Sequence, residues 1–181
     1  MEEFITQEEH DKLMEAIDTD PYWVESQSGR RKIDYGPKAN FKKKKVKPGD
    51  RDGLPLYAKT FVLDNFSSFP QLESITKTFE PIEVNILEYH ESKGSNIAPH
   101  MDDFWLWGER IAGLSLCADS VMTFSKNNIE IEVPIPARSL YIISGSSRND
   151  WMHGIKSKHI SGRRLVCTIR ELTPEFKEPS N

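Results

Sequence analysis

Cysteine is scarce in this 181-residue chain: Cys117 and Cys167 are the only two, each inside an apolar run. Two such thiols cannot build a disulfide framework, and without partners they make no structural zinc site. They read as buried thiols of an intracellular protein. Long hydrophobic runs are missing as well, none approaching the ~20 residues that a membrane-spanning helix requires. The opening MEEFITQEEH is acidic and has neither the basic nor the apolar region of a secretory signal. No internal repeat is visible, and the one low-complexity feature is a KKKK run. What remains is an ordinary globular composition, 37% hydrophobic and 29% charged, with a length that fits one domain around one core.

The net charge of −4 hides an asymmetry. Between Arg30 and Arg51 ten basic residues face two acids, a local +8 that leaves −12 on the rest of the chain. A basic patch on an acidic body points to an anionic partner, nucleic acid first, although a solvated lysine-rich hairpin carries the same charges.

Residues 6–18 read as a helix, with Thr6 and Glu9 forming a capping box and His10, Leu13, Met14 and Ile17 at helical spacing. SQSGRRKIDYGPKANF carries turn residues and an alternation that fits short strands. KPGDRDGLP is a loop, and Pro55 and Pro70 can each open a helix, through about Phe66 and Phe79. From Pro81 the period changes to two. Strands are expected at 82–89, 96–101, 110–117, 120–125, 129–133, 139–144, 151–156 and 163–170, with hairpin turns at Asn127-Asn128 and 159–162. Short strands after N-terminal helices predict an α+β domain built on a β-sandwich or jelly roll.

His100 and Asp102 lie two apart, so on a strand both project to the same face. Such a pair needs one more imidazole to form a facial triad with open positions for substrate and dioxygen. His10 belongs to an apolar helix face, and His90 and His159 to polar turns. His153, in WMHGI, is the best third ligand. In GRRLVCTIREL, Arg164 and Arg170 are six apart and share a strand face with Val166 and Thr168. Two arginines on a buried face are costly without anionic partners; a dicarboxylate offers two, as would a pair of structural ion pairs.

His100-x-Asp102, His153 and Arg164-x5-Arg170 stand in the order and approximate spacing of the AlkB family of iron(II)- and 2-oxoglutarate-dependent dioxygenases. FITQEEHDKL, GRRKIDYGPKANF, GLP, DDFWLWGER, IPARSLYIISGSSRNDW and RELTPEF extend the likeness from Phe4 to Phe176, and the chain most resembles the AlkB-homologue-four subfamily. The resemblance implies a double-stranded β-helix (jelly-roll) core over 81–172, preceded by N-terminal helices and a substrate-recognition lid within 1–80. It implies Fe(II) held by His100, Asp102 and His153. It places 2-oxoglutarate against Tyr89, Arg164 and Arg170, with Arg164 on the distal carboxylate and Arg170 by the chelating one. Dioxygen is the other co-substrate. Leu87 and Val166 replace two family asparagines, which shifts co-substrate binding onto Arg164, Arg170 and Tyr89.

The activity implied is oxidative N-demethylation, yielding formaldehyde and succinate. The lid at Arg30–Leu54 contains the basic patch, interleaved with Tyr35, Phe41 and, just beyond, Tyr57. Substrate contacts are expected from Arg31, Tyr35, Phe41, Lys43, Asp103, Trp105 and Trp107. Lysines tracking phosphates and aromatics stacking on a flipped base fit N6-methyladenine in single-stranded or locally opened DNA, or in RNA. Acid and aromatics together equally fit a methylated lysine, such as monomethylated actin. A binding module with vestigial catalysis is the remaining alternative. A monomer of nucleus and cytoplasm is expected, although no feature of the sequence signals an oligomeric state.

Overall fold

The computed structural model describes residues 1–51 and 53–177. Helix α1 (Gln7–Asp18) begins where the capping box predicts: the Glu9 amide donates to Thr6 Oγ1 (3.2 Å), and the Thr6 amide to Glu9 Oε2 (2.8 Å). Its apolar stripe, Leu13, Met14 and Ile17, is buried, each side chain contributing on the order of 1.5–3 kcal/mol. Strands β1 (Val24–Glu25) and β2 (Arg31–Tyr35) follow, then a hairpin of β3 (Lys38–Asn40) and β4 (Lys45–Lys47). Helix α2 opens after Pro55 at Leu56–Ala58. It continues through a π-helical stretch (Lys59–Leu63) and a 3-10 stretch (Asp64–Ser68). A 3-10 turn at Pro70–Leu72 leads into α3 (Glu73–Thr76).

The period-two region supplies β5 (Glu83–His90), β6 (Ile97–His100), β7 (Trp107–Leu116), β8 (Ser120–Lys126), β9 (Ile129–Ile135), β10 (Leu140–Ile143), β11 (Met152–Ile155) and β12 (Arg163–Leu172). Asn127 and Asn128 both take positive φ, as a two-residue hairpin turn requires. Four of these elements had no forecast: the short strands β1 and β4, α4 (Gly145–Asn149), too short for a period to show, and α5 (Pro174–Lys177).

Two antiparallel sheets face each other as a jelly roll. The larger runs β1-β2-β5-β12-β7-β10 and the smaller β6-β11-β8-β9, while β3-β4 stands apart as its own ribbon. The segment before residue 80 is therefore more than helices and lid. β2 pairs with β5 from Arg31↔Glu88 to Tyr35↔Val84, and Ile33 is fully buried, so these residues belong to the core sheet.

Alternation along β12 divides the interior in two. Leu165, Cys167 and Ile169 join Val84, Ile86 and Leu114 in a core covered by α1 and α2. Val166 joins Tyr89, Met122, Ile143 and Ile155 between the sheets. The inter-sheet face also carries Arg164, Thr168 and Arg170, and that polarity marks the site.

Candidate active site

His100 ends β6 and His153 lies on β11, and the two strands pair with these residues opposite each other. Their ring centroids are 4.5 Å apart. Asp102 follows two residues past the strand end, and the ligand atoms of His100, Asp102 and His153 all lie within 4.8 Å of one another. His153 Nε2 is 3.4 Å from Asp102 Oδ2. His100 Nδ1 donates to the Ala98 carbonyl (3.0 Å), a bond that selects the tautomer whose Nε2 keeps its lone pair. Burial pushes the His153 imidazole down to about 4, so it is neutral and able to ligate at neutral pH. Burial alone would raise the Asp102 carboxyl. Arg170, followed by the two histidines, brings it below its ordinary value instead.

Asp102 Oδ1 accepts from Arg170 Nε (2.9 Å) and lies 2.8 Å from Nη2 in the same ion pair, whereas buried Oδ2 has no hydrogen-bond partner among the described residues. An orphaned carboxylate oxygen facing two imidazoles is the donor set of a divalent transition metal with open positions, and Fe(II) fits it.

Beside the triad, the strand faces enclose a pocket of about 40 Å³. Arg164 lines it, 1% exposed, with Nε and Nη1 unbonded among the described residues and its guanidinium 4.9 Å from the Tyr89 ring. A buried guanidinium with two idle donors calls for a carboxylate. Leu87 and Val166 line the same pocket, so the exchanges for family asparagines leave apolar wall here. Arg170 is placed differently from Arg164. Its donors are engaged by Asp102 and by Glu83 Oε2 (2.7 Å), and the carboxylate it lies against is the aspartate of the triad.

Three residues of this centre carried no signal that sequence reasoning used. Tyr141 lines the pocket and lies so close to Gly113 that a Cβ there would fall 2.2 Å from its ring; burial raises its hydroxyl to about 12. Alternation in SLYII puts it on the inward face with Ile143, which could have found it. Arg148, 2% exposed, donates to the carbonyls of Asp102 (2.8 Å) and Trp107 (3.3 Å) and lies 4.3 Å from the Phe104 ring, so it fixes the backbone that presents the aspartate of the triad. Glu83, the third, is the partner of Arg170 across the sheet.

A cleft of about 1030 Å³ opens under the β3-β4 hairpin, with Phe41, Trp107, Lys45 and Glu83 among its walls. Phe41, 59% exposed, meets Trp105 edge-on at 5.8 Å, and Trp105 Nε1 donates to Asp103 Oδ1 (3.1 Å). Phe41, Asp103, Trp105 and Trp107 are thus gathered at the mouth, and Lys43 sits exposed at the hairpin tip. Of the other two expected substrate residues, one is placed elsewhere and one only partly faces the cleft. Arg31 projects to the helix-covered face, where its Nε is bound by the fully buried Glu88. Tyr35 reaches the cleft wall, but its hydroxyl turns to Asp20 (2.7 Å). Both lie on the odd-numbered face of β2 with Ile33, and burial of Ile33 decides which way they point.

No family model matches the chain. Similarity to individual proteins is extensive. "Alpha-ketoglutarate-dependent dioxygenase alkB homolog 4" of Homo sapiens is 37% identical over 208 residues, covering 97% of this chain and 67% of that protein. The "DNA N6-methyl adenine demethylase" of Caenorhabditis elegans is 42% identical over 177 residues, covering 97% and 60%. The chain spans about two thirds of the length of the human relative and less of the nematode one. Among solved structures, a Pseudomonas putida prolyl-4-hydroxylase superposes with a TM-score of 0.62 at 13% identity, covering 94% of this chain and 89% of that one. The structure of OsALKBH1 superposes with 0.63 at 13%, covering 94% and 96%. At that identity the likeness is one of fold, and the fold is the jelly roll described above.

Proposed function

The chain belongs to the AlkB family of Fe(II)- and 2-oxoglutarate-dependent dioxygenases, and on that premise we propose that it is an oxidative N-demethylase of N6-methyladenine in single-stranded or locally opened DNA. The observation that carries the substrate class is the cleft. Lysines 42–45 are exposed on the hairpin above it, and Phe41, Trp105 and Trp107 offer aromatic surface at its mouth. Phosphates and an extruded base need that combination. The name of the nematode relative supports the same reading.

Bound Fe(II), with 2-oxoglutarate and dioxygen, would supply the oxidation of the N-methyl C–H bond. The protein's side chains bind and orient. Arg164 and Tyr89 receive the distal carboxylate of the co-substrate, and Leu87, Val166 and Tyr141 keep water from that end. Arg170 and Arg148 hold the two ends of Asp102, carboxylate and carbonyl. Asp103, exposed beside the triad, accepts a hydrogen bond from the adenine N6 amine. The hydroxymethyl amine left by oxidation collapses to amine and formaldehyde without a protein base.

The Asp103–Trp105 contact supports a second reading, since a carboxylate beside an aromatic face also suits a methylated lysine ammonium on a protein such as actin. Turnover measured side by side on an N6-methyladenine oligonucleotide and a monomethyl-lysine peptide, read by mass spectrometry, separates the two. Demethylation of the oligonucleotide, with one succinate and one formaldehyde per methyl group and none from Asp102→Ala, is expected. Turnover of the peptide alone would replace the DNA reading with the protein one.

A further inference from the structure

Resting on the reading of His100, Asp102 and His153 as the metal site, we propose that Glu83 is a positioning residue of that site, acting through Arg170 to hold Asp102 in single-oxygen coordination. Glu83 opens β5 and pairs in register with Arg170 on β12, so the two side chains leave neighbouring strands on the same face. Glu83 Oε2 accepts from Arg170 Nη1 at 2.7 Å, while Nε and Nη2 both reach Asp102 Oδ1. Glu83 and Arg170 side chains are each 14% exposed and that of Asp102 is 5% exposed, so water screens this chain of contacts poorly.

Two consequences follow for the metal. With Oδ1 held against the Arg170 guanidinium, Oδ2 is left for the ion, which keeps Asp102 monodentate and preserves the open positions that co-substrate and dioxygen need. The charge also depends on Glu83. Asp102, Arg170 and Glu83 together carry one negative charge, as Asp102 would alone. Without Glu83 the group is neutral, and a guanidinium hydrogen-bonded to the ligand opposes the incoming dication. Arg170 needs a counter-charge on its far side if it is to orient Asp102 without cancelling it. Glu83 also forms part of the wall of the cleft under the β3-β4 hairpin.

A purely structural ion pair would hold the strand ends together and leave metal binding unchanged, and that difference sets the test. The full chain is titrated with Co(II), a stand-in for Fe(II) that is inert to dioxygen, without co-substrate or substrate. Affinity and the Co(II) d–d spectrum are recorded for wild type, Glu83→Gln and Glu83→Asp. Changes to groups that orient metal ligands cost about 10–100-fold in affinity. Glu83→Gln is expected to bind Co(II) at least about tenfold more weakly, with an altered spectrum, and Glu83→Asp to fall between it and wild type. Glu83→Gln with affinity within about twofold of wild type and an unchanged spectrum overturns the proposal. Should Glu83→Gln not fold, Glu83→Asp decides, because its shortened reach must still weaken the ion; unchanged affinity there overturns the proposal equally. Wild-type protein that fails to bind Co(II) overturns the reading of the triad itself, a different outcome from failure at Glu83. No substrate enters the measurement, so neither outcome bears on DNA against protein.

Discussion

Arg163 and Arg164 leave β12 on opposite faces of the larger sheet, and their surroundings differ in kind. Arg163 turns to the helix-covered side, where its Nε donates to Glu88 Oε1 at 2.7 Å and its Nη atoms reach Asp18 at the end of α1. Glu88 also binds Arg31 and His90. Arg164 turns inward, is 1% exposed, and has two donors with no acceptor among the described residues. Asp102 Oδ2 is orphaned on that same side. One face is saturated and the other is left incomplete. Since a buried polar group without a partner costs roughly 1–3 kcal/mol, an unsatisfied cluster persists where a ligand completes it. Saturation marks structure; incompleteness marks the site.

The comparison is broken most severely by Glu88→Gln, which keeps the shape and removes the charge that Arg31 and Arg163 share. Breaking a buried pair costs about 3–5 kcal/mol, and because both arginines can turn partly to water the loss should be near 3 kcal/mol. Urea denaturation measures it, and co-substrate affinity should not move. The pH dependence has a definite sign. Burial would raise the Glu88 carboxyl, but Arg31 and Arg163, then His90, pull it down from an ordinary 4.5 to about 2. A depressed carboxyl gives stability that is complete above its unfolded value and lost as pH falls through the folded one. The wild-type stability curve should therefore descend between about pH 4.5 and pH 2, and Glu88→Gln should flatten that limb. A loss in Glu88→Gln that is independent of pH across this window would remove the hub from the explanation.

Arg164→Met tests the incomplete face and should show the opposite pattern. Replacing one charge-assisted contact costs about 1.5–3 kcal/mol of binding, or 10–100-fold in 2-oxoglutarate affinity. Stability without ligand should hold or rise, since an unpaired buried charge has gone. Isothermal titration with 2-oxoglutarate and a denaturation curve read both quantities. A variant that loses stability and keeps co-substrate affinity would make Arg164 structural, like its neighbour.

What the sequence made legible follows the range of the interactions. The capping box at Thr6 and the alternation along β12 are local, and both were readable to within a residue or two. His100-x-Asp102 is local as well, and His153 could be chosen because its rivals had polar or helical surroundings. Arg31 misled because its partner Glu88 lies 57 positions away in the chain, so nothing near it revealed that its charge was already taken. Glu83 and Arg148 were silent for the same reason: one acts through strand register, the other through backbone carbonyls, and neither leaves a pattern in its own neighbourhood.

The smallest effect is expected from the most conspicuous feature of the sequence. Lys42–Lys45 are exposed, so water already satisfies them, and the rule that an unpaired cation marks a ligand does not apply at a hydrated tip. Their contribution must come from releasing counterions when phosphates approach, at roughly 0.7 per contact in the salt slope for a single strand. Lys43→Gln should lower the slope of log affinity against log salt by about 0.7 and weaken oligonucleotide binding modestly at low salt. Stability and 2-oxoglutarate affinity should stay as in wild type, because the β3-β4 ribbon pairs with neither sheet. Fluorescence anisotropy across a salt series provides the slope. An unchanged slope in Lys43→Gln, and again with all four lysines replaced by glutamine, would make the hairpin a solvated ribbon and move the case for a nucleic-acid substrate onto Phe41, Trp105 and Trp107 alone.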